Sequence, residues 1–222
     1  MTESSAWHEA ATLMSELGRR LIADGLAVGT AGNLSCRVGE DVVISPSSVP
    51  YEQLEPGDMW VLGQDGSVRR TGARTVSSET PFHLAVYEAT DARAVVHTHS
   101  PEVVAVSATC EELPAIHYAI VRLGGAVPVI PYSRFGSDSL ARGVSGALAG
   151  RSAAILQNHG AVTHGRTLVD AYEKAQLLEW LARTYRLACQ LGTPRILTDA
   201  ELEEVRAEAA RRRYAESGPT QP

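Results

Sequence analysis

Apolar residues recur along this chain with two periods, and the switches between them mark its elements. Ala6, Ala10, Leu13, Leu17 and Leu21 fall at helical spacing, which predicts an amphipathic helix over residues 6–24, stopped by Gly25. The period then shortens. Leu34–Val38 and Val42–Ile44 read as strands joined at Gly39-Glu40-Asp41, and Met59–Leu62 and Ser67–Arg70 flank the hairpin signal Gln64-Asp65-Gly66. Val76-Ser-Ser-Glu-Thr-Pro81 opens a helix running through Ala89. Ala94-Val-Val96 reads as a buried strand, and Ser100 and Pro101 as the cap and first residue of a helix to position 108. A short strand over Val127–Ile130 precedes a helix from the Ser137 cap through Leu148. Ala153–Leu156 and Ala161–Thr163 read as strands. The longest helix, 167–191, carries Leu168, Ala171, Tyr172, Ala175, Leu178 and Tyr185 at helical intervals and stops at Gly192. Thr198-Asp-Ala-Glu201 is a capping box for a last helix, and the end from Gly218 is expected to fray. Hairpin links, interleaved helices and the lack of a linker or repeat predict one α/β domain, a largely antiparallel sheet with helices on both faces.

Composition narrows the function classes. The 222 residues are 44% hydrophobic and 21% charged, ordinary for a soluble domain, and the net charge of −6 argues against a nucleic-acid surface. No apolar run approaches the roughly 20 residues that span a bilayer. The start lacks a basic stretch followed by an apolar core, so no signal peptide is read, and a reducing cytoplasm is the expected compartment. Cys36, Cys110 and Cys189 are far apart and form no C-x-x-C, which suggests neither a disulfide framework nor a thiolate zinc site; they read as structural.

The candidate chemistry centres on His97-Thr-His99. In a strand, residues two apart share a face, so both imidazoles point the same way at its carboxyl end. Two readings stand: a metal clip, or one core and one solvated histidine. His159, in the turn Asn158-His159-Gly160 after another apolar strand, mirrors that context. Glu79, at a helix start, is the best carboxylate to complete a tetrahedral site for Zn²⁺. Spacing alone does not choose either residue: Glu79 is also what a helix N-terminus favours, and His159 also reads as a turn histidine. Gly32-Asn33, Ser47-Ser48 and Ser77-Ser78 offer backbone N–H groups and short donors that suit phosphate, or serve as plain turns and caps. His83, one turn after Glu79, and His117, beside Tyr118, read as ordinary histidines, with a contact behind the Glu79 site and an orienting contact to Tyr118 as the respective alternatives, and His8 and His164 read as surface residues. The run Arg211-Arg-Arg213 reads as a solvated helix face.

Taken in order, Gly29-Thr-Ala-Gly-Asn-Leu-Ser35, Ser45-Pro-Ser-Ser-Val-Pro-Tyr-Glu52, Ser77-Ser-Glu79, Val95-Val-His-Thr-His99, Ile116-His-Tyr118, Gly124-Gly125, Pro131-Tyr132, Phe135-Gly136 and Leu156-Gln-Asn-His-Gly160 resemble class II aldolases of the L-fuculose-phosphate aldolase type. The resemblance implies a single-domain three-layer α/β/α sandwich with a mostly antiparallel sheet over residues 1–216, followed by a flexible tail, 217–222. It implies zinc on His97, His99 and His159, with Glu79 a resting-state ligand that becomes a catalytic acid/base; Mn²⁺, Co²⁺ and Fe²⁺ are the alternative metals. It implies phosphate held by Gly32, Asn33, Ser47, Ser48, Ser77 and Ser78. Tyr118 becomes a proton donor reaching a neighbouring subunit's site in a homotetramer. The implied reaction is retro-aldol cleavage of a phosphorylated ketose to dihydroxyacetone phosphate and an aldehyde, with no nucleic acid and no membrane as partner.

His-Thr-His-Ser-Pro101 is shared with phosphosugar dehydratases and 4-epimerases of the same superfamily, which are the alternative. The epimerases place Asp where this chain has Glu79. A non-catalytic interaction domain like the adducin head is a remote third reading. The aldolases resembled close the aldehyde end with aromatic residues from their C-terminal region, where this chain offers Tyr214.

Overall fold

The computed structural model describes residues 3–217; the Tyr214 side chain and the tail beyond 217 lie outside the described residues. Helix α1 (Glu3–Ala23) leads into the hairpin β1 (Asn33–Val38) and β2 (Asp41–Ile44), then β3 (Trp60–Gly63) and β4 (Val68–Arg70). Helix α2 (Thr80–Ala89), strand β5 (Ala94–Thr98), helix α3 (Pro101–Thr109) and the two-residue strand β6 (Glu112–Leu113) follow. The second half runs through β7 (Val127–Ile130), α4 (Asp138–Ala147), β8 (Ala153–Leu156), β9 (Gly160–Gly165), α5 (Leu168–Leu191) and α6 (Asp199–Ser217). The strands form one sheet in the order β4-β3-β2-β1-β5-β9-β8-β7-β6, with the histidine-bearing β5 in the middle. Its described pairings are antiparallel apart from β7 with β8.

Alternation along the central strands makes the three layers. Val95 packs with Phe82, Val86 and Leu140 under α2 and α4. Its neighbours Ala94 and Val96 face the opposite side, against Met14, Leu21 and Tyr172 of α1 and α5. In β8, Ala154 and Leu156 join the first layer, and Ala153 and Ile155 pack on Val103 and Leu178 of α3 and α5. Val95 and Val96 are completely buried. Burial of each contributes about 1.5–3 kcal/mol, so the strand that carries the histidines is anchored on both faces.

The expected elements stand where the periodicity places them, within a few residues at the ends. Ser137 and Thr167 accept N-cap hydrogen bonds from Leu140 and Asp170, and Thr198 and Glu201 form the capping box. A 3-10 segment over Tyr118–Leu123 was not legible, since its apolar spacing fits a short strand equally well. His164 is a correction. It is buried, because β9 runs two residues past Thr163 beneath α5, and its Nε2 bonds the Arg151 carbonyl. Cys36 is structural, with burial pushing its thiol up to about 12, but Cys189 is exposed. Arg211 and Arg212 are exposed and share Glu208, as a solvated helix face should. Among the described residues no helix is long and apolar enough to cross a membrane.

Candidate metal centre and its cavity

Strand direction decides what meets at one edge of the sheet. Strands β5, β8, β7 and β2 all run the same way, and β1 runs against them. The residues that follow β5, β8, β7 and β2 therefore gather beside the start of β1. These are His99, Asn158-His159, Tyr132, Ser133 and Phe135, Pro46–Ser48 and Asn33. The N-terminus of α2 adds Ser77, Ser78 and Glu79, and together they line a cavity of about 340 Å³.

Two glycines permit the close approach. A Cβ on Gly32, at φ +84°, would stand 2.6 Å from the His97 carbonyl oxygen, and one on Gly160 would stand 2.1 Å from that of Thr98. No side chain fits either place. Ser48 and Asn158, both lining the cavity, hold left-handed backbone without being glycine, at φ 59° and 54°. Such conformations cost on the order of 1–3 kcal/mol and cluster at functional sites.

Glu79, His97, His99 and His159 converge, each offering a ligand atom within 4.8 Å of the others. His97 Nε2 lies 2.9 Å from His99 Nε2 and 3.1 Å from Glu79 Oε2, and His159 Nε2 lies 3.3 Å from Glu79 Oε1. The His97 Nδ1 faces the Ala161 carbonyl at 2.9 Å. A carbonyl only accepts, so Nδ1 carries a proton and Nε2 is the atom turned to the shared point. Three ring nitrogens and a carboxylate meeting at one point require positive charge there, and this donor set suits a divalent cation.

Electrostatics agree with that reading. Burial would raise the Glu79 carboxyl, but the charge on His97 and hydrogen bonds from His159, His97 and Asn33 outweigh it and hold it far below the usual carboxylate range. Burial works against a charge on His97, and the Glu79 carboxylate overcomes it, leaving that imidazole above its ordinary value. Burial, then the charges on His97 and His159, push His99 down to about 3.

Gly32, Asn33, Ser47, Ser48, Ser77 and Ser78 all line this one cavity. Tyr118 does not: it begins the 3-10 segment, is 57% exposed, and stacks on His117, whose ring also meets Trp180. Periodicity missed Tyr132 and Phe135 as lining residues. They belong to the cavity because β7 runs parallel to β8, a pairing that local sequence does not announce. His83 is a second correction. It is fully buried and bonds both Ser35 and Asn33, and Asn33 in turn holds Glu79. Its position one turn after Glu79 was the only available signal.

A mixed sheet with this order and a three-histidine, one-glutamate centre at its edge defines a scaffold of the class II aldolase kind. The model of the family described as Class II Aldolase and Adducin N-terminal domain matches residues 12–186, and the chain belongs to that family. It is 37% identical to the 5-methylthioribulose-1-phosphate/5-deoxyribulose-1-phosphate aldolase of Rhodospirillum rubrum, over 86% of each chain. It is 38% identical to the L-fuculose phosphate aldolase of Escherichia coli K12, over 82% of this chain and 85% of that one. A solved L-fuculose 1-phosphate aldolase superposes with a TM-score of 0.87 at 31% identity, covering 91% of this chain and 96% of that one. These relatives are lyases.

Proposed function

We infer that the protein cleaves a ketose 1-phosphate, L-fuculose 1-phosphate or a related deoxyketose phosphate, between carbons 3 and 4, to dihydroxyacetone phosphate and an aldehyde. The observation that carries this reading is the meeting of the three imidazoles and Glu79 with three small polar loops in one cavity. His97, His99, His159 and, in the resting state, Glu79 would hold a divalent cation, zinc by preference. That cation, when bound, is a Lewis acid toward the substrate carbonyl and its neighbouring hydroxyl, spreading the charge left on carbon 3.

The chain's own groups do the rest. Ser47, Ser48, Ser77 and Ser78, with Gly32 and Asn33, present hydroxyls and backbone N–H groups to the phosphate without a lysine or arginine in the lining. Tyr132 and Phe135, largely exposed at the cavity, give the aldehyde end an apolar side. Two protons must move: the carbon-4 hydroxyl loses one as the bond breaks, and carbon 3 gains one. We assign the first to Tyr118 and the second to Glu79, with the roles reversed in condensation. A carboxylate held ionised by this many partners must lose some of them before it can carry a proton, and substrate entering the cavity provides the displacement. Tyr118 serves the site of a neighbouring copy in a homotetramer, which accords with its exposure outside its own chain's cavity. A cytoplasmic location fits the three unpaired cysteines.

The test is release of dihydroxyacetone phosphate from a panel of ketose 1-phosphates, with metal content measured on the same sample. Release is expected from L-fuculose or 5-deoxyribulose 1-phosphate. A phosphorylated product that keeps its whole carbon skeleton would replace cleavage by dehydration or epimerisation.

A further inference from the structure

Glu79 is gripped from behind as well as from the metal side. Asn33 Nδ2 donates to Glu79 Oε2 at 2.9 Å, and Asn33 Oδ1 meets His83 Nε2 in a short hydrogen bond. His83 Nδ1 meets Ser35 Oγ at 2.7 Å, and Ser35 Oγ meets the Tyr87 hydroxyl at 2.7 Å. All five residues are buried.

The direction of every bond in this chain is forced, starting from the carboxylate. An ionised Glu79 only accepts, so the Asn33 amide must turn its NH₂ toward it and its oxygen toward His83. His83 Nε2 therefore carries a proton. His83 is fully buried and its two ring nitrogens meet only the neutral Ser35 hydroxyl and Asn33 amide, so the ring is neutral and its Nδ1 is a bare acceptor. Ser35 must then donate to Nδ1, which leaves its oxygen to accept from Tyr87. Every arrow points toward Glu79: Tyr87 to Ser35, to His83, to Asn33, to the carboxylate.

We propose that His83 is a positioning residue whose single fixed N–H, at the middle of this one-way relay, locks the Asn33 amide and so holds the Glu79 carboxylate in register with the three imidazoles. The proposal rests on the reading of Glu79 as a resting-state metal ligand. Bonds aligned head to tail strengthen one another, so the distal tyrosine and serine contribute beyond their own contacts. A proton does not run along this chain, because the Asn33 amide cannot pass one on without leaving its stable form. The relay orients the carboxylate and leaves its proton exchange to the cavity side.

The experiment measures affinity for Zn²⁺ or Co²⁺ by chelator competition on the full chain without substrate. Losing an outer partner of a metal ligand costs about 10–100-fold in metal affinity, and that loss is expected for His83→Phe. His83→Gln keeps a donor for Asn33 and an acceptor for Ser35, and should bind within about threefold of wild type. Wild-type affinity in a folded His83→Phe protein overturns the proposal. So does a His83→Gln protein as weak as His83→Phe, since restoring the donor and the acceptor would then not restore binding. Where His83→Phe fails to fold, Ser35→Ala decides, since it removes the donor that supports the bare His83 Nδ1 and leaves the ring in place. Weakened metal binding supports the relay, and unchanged binding overturns it. Relay-sensitive metal binding in a protein that releases no dihydroxyacetone phosphate would remove the aldolase reading and leave this one standing.

Discussion

The histidine–glutamate cluster and Tyr118 are held in opposite ways. His97 stands on the central strand of the sheet at 0% exposure, with Phe82 against its ring, the Ala161 carbonyl on its Nδ1 and Glu79 on its Nε2. Tyr118 stands at the start of a 3-10 segment at 57% exposure, touched by His117. A group that must gather charge at a fixed point benefits from a rigid, desolvated mount. A group that must reach a substrate from another copy has to project. One chain can therefore build the cluster unaided, while the proposed proton donor is useful only when copies assemble.

The sharpest break of this comparison is His159→Ala. It leaves two imidazoles and should cost both bound metal, read by elemental analysis, and turnover by more than about 10⁴-fold. Glu79→Gln comes next: the three imidazoles still retain metal, at weaker affinity than wild type, and turnover falls by about 10²–10⁴-fold. Metal loss equal to that of His159→Ala would make Glu79 a ligand without a proton role. Tyr118→Phe should lower kcat by about 10²-fold with little change in KM, while a rise in KM at constant kcat would mark a binding residue only. Refolding it together with Glu79→Gln should restore activity at about a quarter of the sites if tyrosine and glutamate come from different copies, and none if they come from one.

The metal-free protein should also lose stability on acidification. His83 and His99 have folded-state values lowered to about 3. The unfolded chain then binds protons near pH 6.5 that the folded one refuses, so stability falls as pH drops from about 6.5 toward 3. For His83 the cost at pH 5 is about 2 kcal/mol. The raised His97 opposes this, since its contribution is present at low pH and fades as pH rises through its folded value, and the lowered Glu79 adds to the loss at still lower pH. Melting temperatures at pH 7 and pH 5 give the sign, and an equal or higher value at pH 5 would contradict it. The smallest effect belongs to Arg211→Ala on the solvated face of α6, where turnover should stay within about twofold of wild type.

The same contrast explains what could be read from the chain beforehand. The elements were legible where period and cap agree, as at Ser137 and Thr198, because those signals act over a few residues. The pairing of His97 with His99 was legible because strand alternation is local. The approach of Glu79 and His159 was not readable from spacing, since it depends on β8 and β5 running the same way with β9 between them; the resemblance to class II aldolases supplied it. His83 and Asn33 illustrate the remainder. A buried histidine and a buried asparagine look like ordinary core exceptions until a folded chain shows which acceptor each one faces. His164 departs from its expected exposure for a related reason, because a polar residue near a strand's end is buried or exposed according to what packs above it.

The closeness of Gly160 to the Thr98 carbonyl has a consequence for how such sites decay. One added carbon at position 160 would collide with the central strand and push the His159 turn outward, with all three histidines and Glu79 still in the sequence. A descendant could thus fall silent without losing any ligand. A census of metal-binding letters would score it as intact, and the glycine beside the third histidine is where the difference would be written.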